Sequence, residues 1–378
     1  MQFERILSQT IIKNLAKGKV LAIYGPRQVG KTTLIKNLDW GALCVKIVAG
    51  DDLRYASFLA SQNSLELKKV IGESSVLIID EAQRVTNIGV NLKLIVDNFP
   101  EISVIATGSA SFDLANRINE PLTGRKITYF LYPLCFDEVV GAFGESESKR
   151  LLEDILVWGS YPQVLNLDSR EQRETYLTEL VGSYLYRDIL EFEGVKKSEK
   201  VVSLLRLLAY QIGRQVSVNE LGSNLNMDTR TVNKYLDLLE KTFVIYHLGG
   251  FSRNLRKEIA KTSRYYFYDN GVRNALINNF NSISVRGDLG QLWENFLMVE
   301  RRKTNEYKNR HVNDYFWRTY DKKEIDLIEE GGGKLTGFEF KWKGKTERRA
   351  TKDWLETYAE SSYSVITSSN FRNFLKIS

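Results

Sequence analysis

The chain's 378 residues, 43% hydrophobic and 26% charged, describe an ordinary globular protein of two or three domains and exclude a disordered or fibrous one. No apolar run approaches the roughly 20 residues needed to span a bilayer, and the opening Met1-Gln2-Phe3-Glu4-Arg5 lacks a basic-then-apolar export pattern, so no membrane association is expected. The two cysteines, Cys44 and Cys135, lie far apart and there are only two histidines, which argues against a disulfide framework or a structural zinc cluster and for a reduced, cytoplasmic setting.

Net charge is +6 and unevenly placed. Residues 1–194 hold 21 Lys and Arg against 25 Asp and Glu, residues 195–270 hold 13 against 7, and residues 271–378 hold 19 against 15. The basic excess therefore belongs to the C-terminal half, where nucleic acid is the partner it suits; the plain alternative is that it keeps that half soluble.

In chain order, residues 1–18 carry Phe3, Ile6, Leu7, Ile11, Ile12 and Leu15 at helical spacing and predict an amphipathic helix. The apolar run 20–24 predicts a strand, and it leads into Gly25, Pro26, Arg27, Gln28, Val29, Gly30, Lys31, Thr32 and Thr33 ahead of a helix. That is the phosphate-loop spacing G-x-x-x-x-G-K-[ST]: backbone N–H groups surround a phosphate chain, Lys31 reaches the β- and γ-phosphates, and the Thr32 hydroxyl ligates Mg²⁺. ATP and Mg²⁺ are the expected cofactors.

A strand over 43–48 and helices over 52–59 and 64–71 follow. Residues 75–79 then form a buried apolar run that ends in Asp80 and Glu81. At this distance after a phosphate loop the acids suit a metal-holding carboxylate, Asp80, and a base for the attacking water, Glu81. After a helix over 89–98, the run 102–106 predicts a strand ending at Thr107, Gly108 and Ser109. Either hydroxyl can sense the γ-phosphate, with Ser109 preferred, or it can cap a helix starting near Ser111. Arg125, and after it Arg117, are candidates for an arginine supplied to a neighbouring subunit's site, against the plain reading of a solvated arginine.

Residues 132–194 read as helical and connective, with Gly159-Ser160-Tyr161-Pro162 as a candidate hinge and a long helix over 169–190. The segment 195–270 reads as helix (198–212), helix (217–225), turn, and a helix over 229–241 capped by Asp228. Two β segments over 243–248 and 265–268 complete a winged helix. On its last helix Val232, Leu236 and Leu239 face inward while Arg230, Asn233, Lys234 and Asp237 face outward. With Arg253, Arg256, Lys257 and Lys261 in the intervening loop, these are the candidate DNA contacts; a protein-binding role is the alternative. In 271–378, a helix over 290–300 carries Glu294, and strands over 315–318, 324–328 and 337–342 carry Asp326, Glu339 and Lys341. Alternation puts Glu339 and Lys341 on one face. Asp326 and Glu339 would share Mg²⁺, Lys341 would orient a water, and Glu294 would add a ligand or brace. A helix over 351–359 and a strand over 363–367 end the pattern.

These segments resemble known proteins. Residues 132–194 resemble the helical lid of AAA-type ATPases, and the Asp326/Glu339/Lys341 set resembles the PD-(D/E)xK nuclease core, with Glu324-Ile325-Asp326 in place of Pro-Asp. Through Gly25–Thr33, Ile79-Asp80-Glu81, Thr107-Gly108-Ser109, Leu122-Thr123-Gly124-Arg125, Gly159–Pro162 and the Glu-Ile-Asp/Glu-Phe-Lys pair, nearly the whole chain resembles bacterial and archaeal AAA-type ATPases that pair a phosphate-loop domain with a C-terminal domain of unknown function. Where that family usually has a second glycine, this chain has Ser160. The resemblance implies an α/β fold: an ASCE-type ATPase core (1–131), a helical lid (132–194), a winged helix (195–270) and a restriction-endonuclease-like domain (271–378). With the basic C-terminal half, the expected function is an ATPase that moves on or remodels DNA, branched DNA included, as a homo-oligomer such as a ring. The nuclease-like fold would either cut DNA or only bind it. The alternative is a nucleotide-switched regulator.

Overall fold

The computed structural model describes residues 1–109, 122–185, 198–253, 262–321, 323–344 and 352–376. It divides into two compact units, Met1–Leu134 with Lys241–Phe243, and Cys135–Glu240 with Val244–Ser378.

The first unit is a five-stranded sheet in the order β2-β3-β4-β1-β5, formed by β1 (Val20–Tyr24), β2 (Val45–Ala49), β3 (Val76–Asp80), β4 (Ser103–Gly108) and β5 (Lys126–Phe130). All four pairings are parallel. The continuous apolar runs of β1, β3 and β4 are what this demands, since a central parallel strand is covered on both faces; every residue of β1 and β4 is buried. In register, Tyr24 lies beside Gly108 and Ile79 beside Ala106. The carboxyl ends of β1, β4 and β3 therefore line up, with β4 between the other two. Ligands of such sheets sit outside the carboxyl ends where strand order reverses. The N-terminal helix is shorter than its pattern predicts, Leu7–Lys13, and is anchored by Leu7 and Ile11.

The second unit holds a seven-stranded mixed sheet in the order β12-β11-β10-β9-β7-β8-β6. Its strands are β6 (Gln215–Val216), β7 (Ile245–Gly250), β8 (Ser263–Phe267), β9 (Asn313–Arg318), β10 (Glu324–Gly331), β11 (Lys334–Phe340) and β12 (Ser362–Ile366). The first three belong to the segment 198–267, which runs helix, short strand, helix, helix, hairpin. They join the later strands where β7 pairs in parallel with β9, Gly249 beside Tyr315 and Gly250 beside Phe316. On one face, Trp293 and Phe296 of the helix Leu289–Tyr307 stack on each other and meet Phe371 and Trp342 edge to face. On the other, Trp354 and Tyr358 cover Phe251, Trp317, Ile325 and Ile328.

Two helix N-termini are closed by side-chain caps, the first of them expected from the sequence. Asp228 accepts from the Thr231 backbone N–H at 2.8 Å, capping the helix Thr229–Lys241. Ser169 and Gln172 form a reciprocal capping box ahead of Arg170–Glu179, after which the chain widens into a π-helical turn, Leu180–Leu185. The Gly159–Pro162 turn is not exposed like a free hinge. Ser160 and Tyr161 are buried. The Asp269 carboxylate takes the Ser160 N–H at 2.7 Å while capping the helix Asn270–Leu276 through Val272 N–H at 3.0 Å. No described helix is long and apolar enough to cross a membrane.

Candidate active site

The loop after β1 lies at the sheet's carboxyl edge. Gly25 is required by close approach, because a Cβ there would come within 2.0 Å of the Leu131 carbonyl oxygen. Gly30 has φ 95°, a left-handed conformation that side chains resist. Lys31 starts the helix Lys31–Lys36, is 5% exposed, and donates from Nζ to the carbonyls of Gly25 and Pro26, both at 2.9 Å. Its ammonium is thus held inside the loop that a phosphate chain would enter.

From the loop to the tip of β4 runs one chain of hydrogen bonds. Thr32 Oγ1 donates to Asp80 Oδ2 at 2.6 Å, and Thr107 Oγ1 donates to Asp80 Oδ1 at 2.5 Å. Thr107 Oγ1 also accepts the Glu81 N–H at 3.1 Å. Glu81 has φ 52°, which costs a non-glycine residue about 1–2 kcal/mol. Gln83 Nε2 donates to Glu81 Oε2 at 2.5 Å and to Ser109 Oγ at 3.0 Å. The sequence reading named Thr32, Asp80, Glu81, Thr107 and Ser109, which the structure brings together, but not Gln83, which joins them. Its only signal was position, two residues beyond the acid. The hydroxyl of Thr32 beside the Asp80 carboxylate is the hard-oxygen donor set that Mg²⁺ takes, and the loop with Lys31 suits a triphosphate, so the residues fit both cofactors.

Arg125 stands at the other end of the sheet. Its carbonyl accepts from Val20 at the start of β1, about 16 Å of strand away from the loop. Its guanidinium pairs with Asp97 at 2.7 Å and is 45% exposed. It does not join its own chain's site. Arg117 and the helix expected from Ser111 lie outside the described residues, as do Arg256, Lys257 and Lys261.

In the second unit the four expected metal-site residues are engaged by protein partners. Asp326 and Glu294 share the guanidinium of Arg264, at 3.5 and 3.3 Å, and Arg264 also reaches Glu324 at 3.0 Å. Tyr266 donates its hydroxyl to Glu294 at 2.7 Å, and Phe340 its N–H to Asp326 at 2.8 Å. Burial, then Asp326, raises the Glu294 carboxyl, and burial raises Asp326, against the pull of Arg264. Glu339 instead pairs with Lys341 at 2.9 Å and takes the Tyr363 hydroxyl.

Against β9 the register of β10 shifts between Ile325 and Ile328, while against β11 Leu327 lies beside Phe338. Asp326 lies in that shifted stretch, and the N–H that it accepts belongs to Phe340, between Glu339 and Lys341. The period-two argument holds for Glu339 and Lys341. Among the described residues no group of three His, Cys, Asp or Glu is placed to hold a metal ion. Arg264, a cation buried among three acids at the start of β8, was not legible from spacing.

On the helix Thr229–Lys241, Val232, Leu236 and Leu239 are buried, as are Tyr235 and Leu238, while Arg230, Asn233 and Lys234 are exposed. Arg253 is exposed and pairs with Glu330 at 2.8 Å.

Comparison with known proteins agrees with the first unit's geometry. Residues 17–140 match the AAA domain family, residues 149–282 a domain of unknown function, DUF8612, and residues 289–374 another, DUF4143. An uncharacterized protein of Mycobacterium tuberculosis is 28% identical over 330 residues, covering 86% of this chain and 71% of that one. One of Methanocaldococcus jannaschii is 22% identical over 356 residues, covering 87% and 76%. A Walker-type ATPase of Pyrococcus abyssi superposes with a TM-score of 0.52 at 16% identity, covering 73% of this chain and 96% of that one. The N-terminal unit is an AAA-type P-loop domain.

Proposed function

We propose that the protein is a Mg²⁺-dependent ATPase that binds DNA and spends ATP hydrolysis on moving along it or remodelling it. The observation that carries the enzymatic part is the bonded series Thr32–Asp80–Thr107–Glu81–Gln83–Ser109 beside Lys31. Lys31 and the loop N–H groups hold the triphosphate. Bound Mg²⁺ supplies charge neutralisation between the phosphates. Thr32 and Asp80 are the residues that would hold it. Glu81 accepts the proton of the attacking water. Gln83 keeps the Glu81 carboxylate beside Ser109, so the base and the candidate γ-phosphate sensor are set together.

The DNA part rests on the basic excess of the C-terminal half and on Arg230, Asn233 and Lys234 along one exposed helix face, with Arg253, Arg256 and Lys257 of the hairpin segment. The element order of 198–267 supports reading it as a winged helix. Residues 132–194 fit a helical lid, and the strands from β9 to β12 a nuclease-like fold. With Asp326 and Glu294 bonded to Arg264, and Glu339 to Lys341 and Tyr363, that fold serves as a binding surface in this reading rather than as a cutting site. Arg125, remote from its own loop, is the residue that would enter a neighbouring subunit's site in a homo-oligomer. ATPase rate measured with and without duplex, forked and four-way DNA tests the whole. Stimulation by DNA is expected, and an unstimulated rate with no shift in a low-salt gel refutes the DNA part.

A further inference from the structure

Arg5 precedes the N-terminal helix, twelve residues before the AAA match begins at residue 17. It is an arginine only 6% exposed, carried to its place by the buried Leu7 and Ile11. Its Nη1 donates to the carbonyl of Val29 at 2.8 Å and its Nη2 to the carbonyl of Tyr132 at 2.6 Å.

Val29 is the residue of the phosphate loop flanked by two left-handed neighbours, Gln28 (φ 61°) and Gly30 (φ 95°). Tyr132 follows the strand that pairs with β1, and Leu131 N–H donates to Tyr24 O at 2.7 Å just before the loop. One guanidinium therefore ties the loop to the chain beyond β5. A trans peptide is planar, and its C=O and N–H point in opposite directions. Gripping the Val29 oxygen from one side fixes the Gly30 N–H toward the other.

We propose that Arg5 is a positioning residue for the nucleotide's phosphates. From behind the loop it holds the Val29–Gly30 peptide with its N–H turned inward, so that the donor which would meet a phosphate oxygen is set before the nucleotide arrives. The segment ahead of the family-matched domain is thereby part of the nucleotide site. This rests on the reading of the loop as an ATP site. Arginine is suited to the task because its planar fork serves two carbonyls at once, which a lysine ammonium on a single stem does less well.

The experiment is equilibrium binding of fluorescent ATP, with Mg²⁺, to the full chain and to Arg5→Ala, Arg5→Lys and Lys31→Ala. Nucleotide-free melting is recorded for each, and Arg5→Ala is repeated with added ethylguanidinium. Wild-type binding, lost in Lys31→Ala, establishes the site. Arg5→Ala is then expected to bind about tenfold more weakly, with Arg5→Lys between and ethylguanidinium restoring most of the loss. If Arg5→Ala fails to fold, Arg5→Lys decides alone, with a loss of about threefold or more in support. Binding by the Arg5 variants equal to wild type overturns this proposal and leaves the ATP site intact. So does a loss that follows the melting temperature and ignores ethylguanidinium. A wild-type chain that binds no ATP takes down the ATP site and this proposal with it.

Discussion

Replacing Thr107 with valine removes one hydroxyl and nearly no volume at a fully buried position. That hydroxyl does two things: it donates to Asp80 and it accepts the Glu81 N–H. Glu81 sits in a left-handed conformation worth about 1–2 kcal/mol of strain. The bond to Thr107 offsets about 1 kcal/mol of it, so its loss should lower the population with Glu81 in place about fivefold. Losing a charge-assisted bond to Asp80, worth about 1.5–3 kcal/mol, loosens the metal-side carboxylate as well. The expected result is a kcat about 5- to 30-fold lower, with ATP affinity within about threefold of wild type because Lys31 and its loop are untouched. Stability should fall by about 2 kcal/mol from the stranded polar groups. Single-turnover hydrolysis, equilibrium ATP binding and chemical denaturation measure the three. Thr107→Ser is the control, since it keeps the hydroxyl and loses only a methyl, about 0.8 kcal/mol. A valine variant that hydrolyses ATP at the wild-type rate, or a serine variant as slow as the valine one, refutes the reasoning.

Glu81→Gln should retain ATP and lose about 100-fold or more in kcat, as expected for a positioned base; a modest loss would move that role elsewhere. Buried Asp269 has its carboxyl raised to about 6 by burial. Between its ordinary value and about 6 the unfolded chain gives up the proton first, so the acid's contribution is intact at pH 3.8 and lost as pH climbs, about 3 kcal/mol in all. The wild-type minus Asp269→Asn difference in unfolding free energy should show that fall over this window, and a flat difference counts against it. Substituting Arg230, Lys234 and Arg253 together by alanine should make the slope of log affinity against log salt about 3 shallower for duplex DNA, whereas an unchanged slope removes these side chains from the phosphate contacts.

The first unit was the more legible half because its signals are local. A phosphate loop needs glycine at fixed spacing, and a doubly covered parallel strand needs an unbroken apolar run, so residues 20–33 and 76–81 announce themselves. Asp228 was likewise readable as a cap, since a cap acts on N–H groups only two or three residues away. What failed to show was whatever depends on distant partners. Gln83 matters through Ser109, Arg5 through Val29 and Tyr132, and Arg264 through three acids on two other elements. The strand bearing Asp326 was placed correctly, yet its irregular pairing with β9 and the arginine that its acid meets were not readable. The short strand Gln215–Val216 and the helices Asn270–Leu276 and Phe371–Leu375 escaped notice because they span too few residues to show a period.

The parallel contact of Gly249 and Gly250 with Tyr315 and Phe316 has a practical corollary. The two matched families abut at residues 282 and 289, yet the backbone is stitched across that seam. An investigator who expresses the hairpin segment without the later strands would strip β7 of its neighbour and leave a bare edge, which invites aggregation. By the same stitching, main-chain pairing runs without a break from the hairpin to β12.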